Sequence, residues 1–117
     1  MTIPERKCCY CIPKNKQGDK ELEQGVENEE NTVFITLSEE EDDSLFHVYN
    51  DLNKELDIII DTYEEEYIYA KDASKALKIV RKYTKEPESE LQASALEKLI
   101  AALEAAIEYD TFLELAL

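Results

Sequence analysis

ESELQASALEKLIAALEAAIEY, residues 88–109, is the stretch on which the fold class turns. Leu91, Ala95, Leu96, Leu99, Ile100, Leu103, Ala106 and Ile107 recur at steps of three and four, which gathers them into one wide apolar stripe on a helix. Glu97, Glu104 and Glu108 keep the opposite face wet. Ser89 or a neighbour opens this helix. A stripe of that width needs partners, and the sequence upstream supplies two.

The nearer partner is a helix over about 72–84, with Asp72 as its cap, Ala73, Ala76, Leu77, Val80 and Tyr83 facing inward, and its end set before Pro87. Lys71, Lys75, Lys78, Lys82 and Lys85 line one face of it. Like charges four apart cost roughly 0.2–0.5 kcal/mol per pair, so this row benefits from acidic company.

Further upstream, Leu45, Val48, Leu52, Leu56, Ile59, Ile60 and Tyr63 recur at helical spacing and predict a helix from about 43 to 65. Ile58-Ile59-Ile60 is β-branched throughout and makes a strand over 56–60 the competing reading; the flanking period favours helix. Tyr67-Ile68-Tyr69 reads as a short extended link. Ser38 with Glu41 three residues on has the form of a capping box, and the acidic run SEEEDD (38–43) suits the positive end of a helix dipole.

TVFITL (32–37) is a strand candidate, rich in β-branched and aromatic residues. The tail DTFLELAL (110–117) reads as a strand beside it, since Asp110-Thr111 marks a break, with a frayed helical extension as the alternative. Residues 1–31 combine a β-prone cluster, CCYCIP, with a polar stretch holding both glycines, and either a flexible arm or a two-stranded ribbon with a long polar loop fits them. The expectation is a mainly helical α+β protein. It has a three-helix core and a minor two- or three-stranded β element, divided into an N-terminal arm or ribbon over 1–31 and a helical domain over 32–117.

With 117 residues, 44% of them hydrophobic and 35% charged, the chain suits one helix-rich domain with a single modest core. No run approaches the roughly 20 apolar residues of a membrane span, and the first seven residues lack the apolar core of a signal peptide, which predicts a cytoplasmic protein. Cys8, Cys9 and Cys11 are odd in number and too close together to staple a fold, so reduced thiols are expected.

The chemistry-bearing constellations are weak. Cys8 and Cys11 have the spacing of a zinc knuckle, but no second cysteine pair follows and His47 is the only histidine. Adjacent cysteines beside Arg6, Lys7 and Lys14 offer lipid attachment as a minor alternative to small apolar residues in a strand. His47 falls between Asp43 and Asp51 at helical spacing and reads as a solvated, paired imidazole. No EF-hand spacing, nucleophile elbow or glycine-rich phosphate loop occurs. No enzyme, no catalytic residue, no metal and no cofactor are expected.

Charge is the informative feature. The formal net charge of −15 is uneven: residues 1–20 carry +3, residues 21–66 carry −16 and residues 67–117 carry −2. A field of that sign repels nucleic acid and anionic lipid and speeds encounter with basic surfaces. The sequence therefore predicts a small acidic protein-binding module that neutralises a basic partner, by analogy of charge with immunity proteins, antitoxins and inhibitors. A nuclease or another nucleic-acid enzyme is the kind of partner implied. Glu39, Glu40, Glu41, Asp42, Asp43, Asp51, Asp57 and Asp61 are the predicted contact residues, with no direct nucleic acid or membrane partner. The alternative is a self-associating helical module, a homodimer in which the acidic helix of one subunit meets the lysine row of another.

Overall fold

The computed structural model describes residues 7–117. Expectations that rest on Met1 to Arg6 lie outside the described residues. The described chain runs β1 (Cys8–Pro13), α1 (Lys16–Glu23), β2 (Thr32–Leu37), α2 (Glu39–Ser44), α3 (Phe46–Leu56), β3 (Glu65–Tyr69), α4 (Ala70–Tyr83), α5 (Glu90–Glu108) and β4 (Phe112–Ala116). The class is α+β. Five helices and a four-stranded antiparallel sheet of order β2-β1-β4-β3 stand where three helices and a minor β element are expected.

Strand alternation sorts the sheet into two faces. Cys8, Tyr10, Ile12, Leu37, Ile68, Leu113 and Leu115 are buried on the inner face, where Leu96, Leu99 and Leu103 of α5 and Leu77 and Val80 of α4 complete the core. The long stripe read from α5 does form the centre of that core, although Leu91 and Ile107 near its ends are exposed. Buried Gln92 ties the start of α5 to the end of α2, its Nε2 donating to the Ser44 carbonyl at 3.1 Å.

On the outer face lie Cys9, Cys11, Phe34, Tyr67, Tyr69, Phe112 and Glu114, paired by register as Cys11↔Phe34, Cys11↔Glu114, Tyr67↔Glu114 and Tyr69↔Phe112. The helix α1, which the periodicity did not announce, lies on this side. Asn15 caps it by accepting the Gly18 amide at 2.8 Å. Gly18 sits so close to the backbone that an added Cβ would fall 2.1 Å from the Asn31 carbonyl oxygen. Glu21 accepts from the Asn31 side chain at 2.9 Å and holds the 24–31 loop against the helix.

The helix expected over 43–65 is instead α2 and α3, which meet at Leu45, followed by an irregular segment. Helix α3 stops because Asp57 turns left-handed (φ 54°) and Asn53 diverts the next residues. Its side-chain oxygen accepts the Ile60 amide at 2.6 Å and its amide donates to the Ile60 carbonyl at 3.3 Å. Both Ile60 backbone groups are thereby satisfied outside a helix. The strand alternative over 56–60 is also absent. Tyr67-Ile68-Tyr69, expected as a link, belongs to β3, which feeds directly into α4. Asp72 does not cap α4. The cap position is Tyr69, and the Ala70 amide is satisfied by the Thr111 carbonyl at 2.8 Å. The tail is a strand, but β1 separates it from TVFITL.

Candidate functional site

The acidic run opens α2 as its residue types require. Ser38 Oγ accepts the Glu41 amide at 3.1 Å and Glu41 Oε1 accepts the Ser38 amide at 2.9 Å, a complete capping box. Glu41 goes further than capping. Its Oε1 also meets Lys98 Nζ at 2.9 Å and its Oε2 accepts from Ser94 Oγ at 3.1 Å, so the carboxylate clamps α2 to α5. Burial alone would raise its pKa, but the hydrogen bonds from Lys98, Ser38 and Ser94 outweigh that and hold it at about 2.

Asp42 also turns inward. It is buried and accepts from the Tyr49 hydroxyl at 2.9 Å, and the Tyr49 oxygen lies 2.6 Å from that of Tyr10. Since the Tyr49 proton is engaged with Asp42, the Tyr10 hydroxyl donates to Tyr49, and a chain of hydrogen bonds runs from β1 through α3 to α2. Burial pushes both phenols well above their ordinary range, with the neighbouring Asp42 charge adding to it, so both are neutral donors at physiological pH.

Beside this chain is a cleft of about 500 Å³ between α2, α3 and the 57–62 segment. Asp42, Asp43 and Asp61 supply its carboxylates, while Phe46, Tyr49 and Ile59 supply apolar lining. Phe46 is 63% exposed and Ile59 66% exposed, and Tyr63 just beyond is 82% exposed. The irregular 57–64 segment accounts for this. A helix over 43–65 would turn Ile59 and Tyr63 inward, whereas the break at Asp57 turns them out and buries Ile60. Carboxylates interleaved with open apolar side chains can hold a basic side chain by its charge while covering its aliphatic stem.

The eight predicted contact residues divide accordingly. Asp42, Asp43 and Asp61 come together at the cleft. Glu41 is buried in the clamp, Glu39 is half-buried and Glu40 exposed on the first turn of α2, and Asp57 is the left-handed terminus of α3. Asp51 is directed away, accepting the Tyr83 hydroxyl and sharing a groove with Lys75, Lys78 and Lys82. Lys75 donates to the Glu55 backbone carbonyl at 2.9 Å, and Glu55 lines the same groove as Asp51 and these three lysines. His47 is exposed and its ring packs edge-on against Phe46 at 5.5 Å.

Phe46, Ile59 and Tyr49 are not among the predicted contacts. Phe46 carried a signal, because it falls outside the apolar stripe of its helix; Ile59 carried none, since periodicity assigned it to the core. Among the described residues no group of three or more His, Cys, Asp or Glu is placed to hold a metal ion, and no helix is long and apolar enough to cross a membrane. No family model, curated protein or solved structure matches the chain.

Proposed function

We propose that the protein is a small acidic binding module whose α2–α3 cleft receives a basic surface of a partner protein. One observation supports this above the rest: Asp43 and Asp61 flank the widely exposed Phe46 and Ile59 around a cleft of about 500 Å³, within the −16 stretch of the chain. Long-range charge brings the partner in, and burial of Phe46, Ile59 and the stems of its Lys or Arg side chains retains it. Inhibition of a nucleic-acid enzyme is the role this reading implies, because such enzymes present the basic surface that the field selects. The module acts without catalysis and belongs in the cytoplasm, where its three thiols stay reduced. Self-association has less support, since Lys75, Lys78 and Lys82 of the lysine row already share a groove with Asp51 and Glu55 of the same chain.

Association kinetics with the basic partner test the reading. Asp43→Asn with Asp61→Asn is expected to slow association several-fold at low ionic strength and much less at high salt, with dissociation little changed. Ile59→Ser is expected to do the reverse, raising dissociation and leaving association alone. Kinetics indifferent to salt and to all three substitutions would refute it.

A further inference from the structure

A second cleft, of about 450 Å³, lies on the outer side of the sheet between α1 and the β3–β4 edge. Three aromatic rings meet there. Tyr67 and Tyr69, two apart on β3, have near-parallel rings with centroids 6.5 Å apart, and Phe112 of β4 stands edge-on to both at 5.4 and 5.9 Å. Register sets Glu114 opposite Tyr67, in the fourth position of this two-by-two grid. Asp19 and Glu23 of α1 and Glu65 of β3 complete the acidic lining, and among the described residues no Lys or Arg lines the cleft.

The arrangement is unlike a surface patch of solvated carboxylates. Glu114 is half-buried, and among the described residues no hydrogen-bond donor or cation meets its carboxylate. Burial raises its pKa, and the nearby charges of Glu65 and Asp19 add to the rise. Tyr69 remains 52% exposed although Phe112 and Tyr67 are beside it, so the ring cluster is open to a ligand. A cation entering the cleft would relieve the repulsion among the carboxylates. If it were alkylated, it would also cover apolar ring surface that a hydrated metal ion would leave wet.

We propose that this cleft binds an alkylated ammonium group, with Tyr67, Tyr69 and Phe112 contacting its alkyl shell and Glu114 neutralising its charge. A methylated lysine side chain of a protein and a free quaternary ammonium compound share that chemistry. The site lies across the sheet from the α2–α3 cleft and does not depend on it.

Titrations of the full chain, followed by NMR at the Tyr67, Tyr69 and Glu114 amides, test this with choline, with its uncharged carbon isostere and with a trimethyl-lysine peptide. Choline is expected to bind about tenfold more tightly than the isostere. A peptide that binds more tightly than choline identifies a protein side chain as the natural ligand, and equal affinities identify a free compound. Tyr69→Leu, at an exposed position, is expected to weaken choline about two- to fivefold, and Glu114→Gln at least as much, with the circular dichroism of both variants unchanged. Equal binding of choline and the isostere, no shift at the three amides, or full affinity in Glu114→Gln would overturn the proposal.

Discussion

Glu41→Gln isolates the interaction that joins the acidic run to the core. Gln keeps an acceptor for the Ser38 amide but removes the charge that faces Lys98 Nζ at 2.9 Å. Folding lowers the Glu41 pKa from 4.5 to about 2, which at about 1.4 kcal/mol per pH unit sets an upper limit of about 3.5 kcal/mol. The Lys98 side chain is 35% exposed, so water screens the pair, and roughly 1–2 kcal/mol is the expected cost at pH 7. Because the folded pKa lies below the unfolded one, this contribution is present above about pH 4.5 and disappears as pH falls towards 2. Urea unfolding of both proteins at a series of pH values measures it. Wild type and variant should differ at pH 7 and converge near pH 2. A difference that is zero at pH 7, or that keeps its full size at pH 2, would refute the clamp.

Leu99→Ala or Leu103→Ala should each cost about 2–5 kcal/mol in urea unfolding, since both side chains are fully buried in the α5 stripe. Tyr49→Phe removes the hydroxyl between Tyr10 and Asp42, and a loss of about 1–3 kcal/mol is expected by thermal or urea denaturation because buried polar atoms lose a partner. Gly18→Ala cannot be accommodated without moving α1 away from the Asn31 carbonyl. It should therefore raise amide exchange in the 24–31 loop while leaving α5 protected.

The parts of the fold legible in the sequence are those with a local physical signal. The α5 stripe and the Ser38–Glu41 box are visible because period and capping chemistry are properties of neighbouring residues. The end of α3 is not, because Asp57 adopts a left-handed conformation without a glycine to announce it, and the Asn53 side chain that holds Ile60 acts across seven residues. Helix α1 is hidden for a related reason: its close packing is made by Gly18, which propensity alone counts against a helix. At the candidate site the sequence supplies the charge but not its direction. Within EEEDD every residue is polar, so although the box ties Glu41 to Ser38, nothing in the pattern tells that Glu41 also reaches Ser94 and Lys98, or that Asp42 turns inward while Glu40 and Asp43 face solvent.

The proposal that the α2–α3 cleft is a docking surface for a basic protein is tested most directly by comparing what three tagged proteins retain from a cell extract at moderate salt. These are the wild type, a cleft variant carrying Asp43→Asn, Asp61→Asn and Ile59→Ser, and a control carrying Glu97→Gln and Glu104→Gln on the exposed face of α5. Docking at the cleft requires that the wild type and the control retain equally one or a few basic proteins that the cleft variant loses. Equal retention of those proteins by the cleft variant, or a wild type that retains no basic protein, would contradict it.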